Sequence, residues 1–143
     1  MVKVNEAKPR RLSIPVLQQR LDKVFSEYIR LRDANDLGFC KCVTCGEMWR
    51  WQMIHNGHYV DRRHIGTRYD ERNCRSQCFK CNVGLRGNLE KYKRAIIRLY
   101  GVSVLEELES KRRSLEKWTV ADYQEKIAYY KEEVKRLRKE KGL

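Results

Sequence analysis

From Ser13 onward, apolar side chains recur at alternating steps of four and three: Leu17, Leu21, Val24, Tyr28 and Leu31. That spacing lines one face of a helix. Ser13 stands at the N-cap position with Pro15 in the first turn, and the pattern predicts a helix that ends around Asn35 to Gly38. Trp49, Trp51 and Met53 then alternate with Arg50 and Gln52, which is the period of a short strand. Asn88 is placed to cap a helix over Leu89 to Tyr100, with Gly101 as its stop. Ser103 and Glu106 have capping-box spacing for a short helix to about Arg113. Thr119 and Asp122 open a last helix, in which Tyr123, Ile127, Tyr130, Val134 and Leu137 again step by four and three. Two seams of the same period can pair within one chain, or between two copies as a homodimer.

These patterns divide the chain into a flexible basic arm (1–12, with Lys3, Lys8, Arg10 and Arg11), an N-terminal helix (13–38), a central segment (39–101) and C-terminal helices (102–143). The central segment holds all the cysteines and histidines. Composition sharpens the picture. Of 143 residues 41% are hydrophobic and 36% charged, so the core is small and calls for a staple. Lys and Arg number 32 against 19 acidic residues, a formal charge of +13. Such a surplus repels itself unless a polyanion neutralises it, and nucleic acid is the first expectation, ahead of a merely solvated basic face. No run approaches the ~18 apolar residues of a membrane span, and the first residues lack the apolar centre of a signal peptide. The expected setting is therefore the cytoplasm, with no membrane contact and with thiols kept reduced.

In that setting the six cysteines read as metal ligands before disulfides. Cys42-Val-Thr-Cys45 and Cys78-Phe-Lys-Cys81 are two C-x-x-C knuckles, and two such turns complete a tetrahedral thiolate shell for structural zinc. A redox pair would not need the second knuckle, and nothing else points to an iron–sulfur cluster. Four thiolates leave no open position, so this ion holds the fold and does no chemistry. Cys40 and Cys74 are left over, and small buried side chains are the default for both.

Between the knuckles lie His55-Asn56-Gly57-His58-Tyr59 and Thr67-Arg68-Tyr69-Asp70-Glu71-Arg72-Asn73, and Asn82 follows Cys81. Phosphodiester hydrolysis needs a base for water and a cation for the developing charge. Histidine suits the first and an asparagine carbonyl suits a hard cation such as Mg²⁺ or Mn²⁺. Asn82 would be pinned by the adjacent zinc ligand. Asn56-Gly57 reads as a tight turn, with His55 and His58 flanking it and facing each other. Singly, each residue has an ordinary explanation: a surface histidine, a turn, a cap. Their order between two knuckles is what points to a site.

The run C-x-x-C, G-H-Y, R-Y-D-E-R-N, C-x-x-C-N and G-N-L-x-x-Y, from about Cys40 to Tyr100, resembles the NinG/Rap recombination nucleases of lambdoid phages. The C-x-x-C…H…C-x-x-C-N skeleton is also similar to phage T4 endonuclease VII, a dimeric resolvase. The resemblance implies an α+β, mostly helical fold, with a zinc-stapled ββα-metal (HNH-like) core flanked by the terminal helices. Residues near 48–60 and 72–78 would form its hairpin, and the helix after Cys81 would complete it. His58 would be the general base, Asn73 the residue that braces the hairpin loop and orients His58, and Asn82 a ligand of the catalytic Mg²⁺ or Mn²⁺. Gly57 departs from the pattern, because many HNH enzymes carry an Asp or His metal ligand just before the base. His55 is the replacement candidate and Asp61 the second choice.

The implied substrate is branched recombination DNA, including Holliday junctions and D-loops, cut in the cytoplasm of a phage-infected bacterium. The rivals are a non-catalytic zinc-ribbon DNA-binding protein and a nuclease of linear duplex or single strands. Arg62, Arg63, Arg68, Arg72, Arg75 and Arg86 are the expected DNA contacts, since guanidinium forks match phosphate oxygens. Arg68 is the first choice for clamping the scissile strand. Tyr69, Trp49 and Trp51 could stack on unpaired bases, with core packing favoured for the two tryptophans.

Overall fold

The computed structural model describes residues 12–143, so the basic arm expected at the N-terminus lies, apart from Leu12, outside the described residues. The elements in order are α1 (Ile14–Asp33), β1 (Phe39–Lys41), β2 (Met48–Arg50), β3 (His55–His58), α2 (Ile65–Arg68), a 3-10 turn (Glu71–Asn73), β4 (Cys74–Gln77), a π-helical turn (Lys80–Gly84), α3 (Leu89–Tyr100), α4 (Val102–Lys111) and α5 (Val120–Lys141). The protein is thus mixed α+β and mostly helical. No helix among the described residues is long and apolar enough to cross a membrane.

The two seams meet inside one chain. Leu17, Leu21, Val24, Tyr28 and Leu31 of α1 are buried in one core with Tyr123, Ile127, Tyr130, Val134 and Leu137 of α5. Each stripe is thus covered by the other within one chain, the intramolecular pairing that the pattern allows. The helices run parallel: Gln18 reaches the Tyr123 hydroxyl near their starts, and Lys141 reaches the end of α1 near their finish. There Nζ donates to the carbonyls of Leu31, Arg32 and Ala34 at 2.7, 3.1 and 2.6 Å. A cation thus satisfies the orphan acceptors at the negative pole of α1. Phe25, Tyr28 and Tyr130 pack ring against ring at centroid distances of 4.9 to 6.4 Å.

That core continues into the central segment, where Cys40, Cys42, Cys74, Cys78, Cys81 and Trp51 belong to the same cluster. β1 and β2 pair antiparallel, with Cys40 opposite Trp49. β3 and β4 form a second antiparallel pair, with His55 opposite Gln77 and His58 opposite Cys74. The tryptophan-rich strand is shorter than the alternation suggests. It stops at Arg50, where the Trp51 amide turns to the Gly38 carbonyl and the Met53 amide closes on Arg50. Trp51 is buried beneath Arg30 and Arg138, whereas Trp49 stays at the surface.

Asn56-Gly57 is not a turn; both residues lie within β3. Side chains three apart on a strand face opposite ways, so His55 and His58 do not flank a bend. Glycine is required at 57 for another reason: a Cβ there would come within 2.3 Å of Gln77 Oε1 and 2.8 Å of Gln77 Cβ. The chain after Cys81 is helical in two pieces: the five-residue π-helical turn that contains Cys81 itself, and then α3 from Leu89. α3 spans its predicted range, although the Asn88 side chain caps no amide and turns to Cys81 Sγ instead, and it stops at Gly101, whose φ of 92° no β-carbon-bearing residue adopts readily. α4 starts one residue before Ser103, so the Ser103–Glu106 box does not form. The Thr119–Asp122 box does, in both directions.

Leu21 has no exposed surface. Leu21→Ala is expected to lower the unfolding free energy by about 2–5 kcal/mol. Exposed Lys23→Ala is expected to stay within about 0.5 kcal/mol. Denaturant melts of both variants read the difference.

Candidate functional site

Two C-x-x-C turns face each other across the end of the β3–β4 pair. The sulfur atoms of Cys42, Cys45, Cys78 and Cys81 all lie within 4.8 Å of one another, and Cys45 Sγ to Cys78 Sγ is 3.7 Å. A tetrahedral zinc with bonds of about 2.3 Å demands sulfur–sulfur edges of about 3.8 Å, so the cluster fits that ion. The Cys78 amide donates to Cys42 Sγ at 3.3 Å, and Asn88 Nδ2 donates to Cys81 Sγ at 3.6 Å. Cys40 and Cys74 stand apart. Burial raises both thiols above the ordinary cysteine range, Cys74 most strongly, and they are core side chains.

A cleft of about 840 Å³ runs along the free edge of β3, and His55, Asn56, His58, Asp61 and Asn82 line it together with Asp22 of α1. His55 and His58 reach it from opposite faces of the strand because the edge itself forms the wall. The knuckle holds Asn82 over His55, with Nδ2 3.1 Å from His55 Nδ1. Which amide atom faces the ring is a matter of assignment. Turned over, the amide would present its oxygen beside the ring nitrogen. Neighbouring ligands on an octahedral Mg²⁺ with bonds of about 2.1 Å sit about 3.0 Å apart, and the pair matches that edge. Gly57 contributes nothing to such a shell, because Gln77 occupies the space that a side chain would need. Asp61 lines the cleft but is exposed and forked onto Arg63.

His58 is fixed by one bond, from Nε2 to the Arg68 carbonyl at 2.9 Å. A carbonyl only accepts, so Nε2 carries the proton and Nδ1 is left with a free lone pair. Burial, aided by the charges of Arg62 and Arg68 and opposed by that carbonyl, lowers the ring pKa to about 4. The imidazole is neutral at neutral pH. Asn73 braces the same loop from below. It is fully buried, accepts from the Val60 amide at 2.8 Å and donates to the carbonyls of Val60 and Thr67. It does not touch His58; it holds the backbone next to the carbonyl that does.

The expected phosphate clamp is a structural beam. Arg68 forks onto Asp22 and donates to the Arg62 carbonyl. Arg72 is bound by Asp70 and Glu107, and Arg75 by Asp33 and the Tyr100 hydroxyl. Three of the six arginines are therefore committed inside the protein. Tyr69 is buried, with its hydroxyl on Asp22 at 2.6 Å, and offers no face to a base. Arg63 is exposed and spends its fork on Asp61. Arg62 and Arg86 do line the cleft, joined by Arg112, which the sequence pattern did not single out. The bracing acids Asp22 and Asp33 were missed too, since on a helix they look like ordinary solvated residues.

The family model described as Bacteriophage Lambda NinG protein matches residues 2–140. Among curated relatives called Protein ninG, that of Salmonella phage P22 is 33% identical over 134 residues, covering 92% of this chain and 60% of the relative. That of Escherichia phage 933W is 34% identical, covering 92% and 61%, and that of Escherichia phage lambda 32%, covering 92% and 60%. The chain spans about three fifths of the length of these relatives. No solved structure matches it.

Two outcomes follow from this geometry. The protein should hold one zinc per chain by elemental analysis, and Cys78→Ser should lose both the metal and the cooperative melt, since metal binding at such a site is folding free energy. Acidification supplies the second. A ring with a folded pKa near 4 and an ordinary value of 6.5 binds its proton more readily in the unfolded chain. Stability should therefore fall as pH drops from 6.5 to 4, and the slope should flatten in His58→Gln when melts of the two are compared across that window.

Proposed function

The chain belongs to the NinG family, and on that premise we propose that it is a metal-dependent DNA endonuclease of the HNH-like ββα-metal kind, acting on branched recombination DNA such as Holliday junctions and D-loops. One observation carries the reading. An imidazole with a free Nδ1 lone pair and a His55–Asn82 pair with ligand spacing open into one cleft, beside a four-cysteine cluster suited to zinc.

In this reading His58 Nδ1 takes the proton of the attacking water, and Nε2 stays bound to the Arg68 carbonyl so that the ring cannot swing away. Asn73 keeps that carbonyl in place through its grip on Val60 and Thr67. Arg62, Arg86 and Arg112 hold the phosphodiester backbone in the cleft without reading sequence, which suits recognition by shape. His55 Nδ1 and the Asn82 carbonyl would hold a Mg²⁺ or Mn²⁺, and when bound that cation neutralises the charge developing on the phosphate.

A second reading, a zinc-ribbon DNA-binding protein without activity, draws on the closed position at Gly57, which leaves two protein ligands where a third is usual. Divalent metal separates the two. The nuclease cuts labelled four-way junctions in Mg²⁺ or Mn²⁺, and His58→Ala is expected to slow cutting roughly a hundred- to ten-thousand-fold while zinc content and melting are kept. A protein that retards junctions on a gel and never nicks them in either metal would be the binder. Equal cutting of junction and linear DNA in competition would instead favour a nuclease of ordinary strands.

A further inference from the structure

The π-helical turn that carries Asn82 also carries an unusual amount of exposed apolar surface. Phe79 is 62% exposed, Val83 52% and Leu85 50%. Across the cleft mouth Met53 is 65% and Leu89 50% exposed, and both line the cleft. Phe79 and Val83 are four apart on one helical turn and so share a face. The Phe79 ring stands edge-on to His55, with centroids 5.7 Å apart at 88°, and the rest of it is in solvent. None of these side chains serves the two hydrophobic cores.

We propose that Phe79 is a stacking platform for a nucleobase that has left the helical stack, with Val83 beside it on the same face of the turn. The inference rests on the nuclease reading and deepens it, since it supplies a means of choosing branched DNA. Three features select a base over other occupants. The ring adjoins the pair that would hold the cation, so whatever covers it lies next to the scissile phosphate. Arg62, Arg86 and Arg112 line the cleft that the ring borders through His55, and bring in a polyanion. A planar ring in solvent gains from stacking on any base face, and in an intact duplex those faces are covered. Only a branch point, a flap or an unpaired strand offers one without further unstacking. The cleft arginines would bind all DNA, and the ring adds affinity only where a base is free.

Binding in Ca²⁺, where cutting need not occur, isolates the effect. Affinities are measured for a four-way junction and for a linear duplex of equal length, using wild type, Phe79→Ala, Phe79→Leu and Phe79→Trp. The expected result is that Ala and Leu weaken junction binding about 5- to 100-fold, the range of base–aromatic stacking. Duplex affinity should stay within about twofold, because stacked bases give the ring nothing to cover, and Trp should restore or tighten the junction complex. A junction with 5-iodouracil beside the branch should crosslink to residue 79 in wild type. Unchanged junction affinity in Phe79→Ala would overturn the proposal, and so would full retention by Leu, which is apolar but has no plane. Equal losses on junction and duplex would also overturn it, since they would make Phe79 a general support of the cleft. Wild-type cutting in Mn²⁺, run alongside, reports on the nuclease reading alone: a protein that never cuts yet shows the junction-specific loss keeps the platform and refutes the nuclease.

Discussion

Everything near the cleft depends on four sulfur atoms brought within 4.8 Å of one another. The two knuckles come from opposite ends of the central segment, and closing them sets where β4 ends and where Asn82 begins. Without that closure, Asn82 would sit on a short turn with no reason to lie over His55. A five-residue π-helical turn has little stability of its own. It can hold a side chain at a fixed place if its second residue, Cys81, is tied through an ion to Cys42 and Cys45 of the other knuckle. The ion that the cluster suits does no chemistry in such an arrangement, yet it sets the coordinates of the groups that could.

The second layer of order is made of charge turned inward. Asp22 and Asp33 on α1 take up the forks of Arg68, Arg32 and Arg75, and Arg32 also donates to the carbonyls of Glu71 and Cys74. These bonds lash the loop between β3 and β4 to the long helix. The loop's own inside is filled by Asn73, which satisfies three backbone groups at once. His58 thus rests on a carbonyl whose chain is pinned on both sides, by an amide within and by an ion pair without. A strongly basic protein need not present all its cations to a partner: part of the surplus here serves as internal bracing.

The helices were legible because their signals are redundant. The α1 and α5 seams have five apolar positions each, and α3 is bounded by Asn88 and Gly101, so its range is visible without any knowledge of contacts. The cysteine cluster was legible from spacing alone. The strands were not, because three- and four-residue segments are too short to show a period, and Asn56-Gly57 carries a turn signature. What overrides it is Gln77, a buried side chain on the neighbouring strand that only a glycine can pass. The internal roles of Arg68, Arg72 and Arg75 were hidden for a related reason. Residue type shows that Arg68 carries a charge, but its partner, Asp22, is 46 positions distant and sits on a face that looks merely wet. Phe79, inside the second C-x-x-C, carries no signal of its own until its exposure is known.

The parallel pairing of α1 with α5 bears on how the protein is made. Gln18 and Tyr123, which meet where the two helices begin, are 105 positions apart. On a ribosome the first helix must therefore wait, stripe uncovered, until the last has been synthesised. Adding chain one residue at a time at ~5–20 residues per second leaves it waiting for about 5–20 seconds. The cysteine cluster is complete once Cys81 has been added, and so can take up its ion well before the helices dock. In that order of assembly the four cysteines can gather first, and α5 arrives as the strap that closes over them.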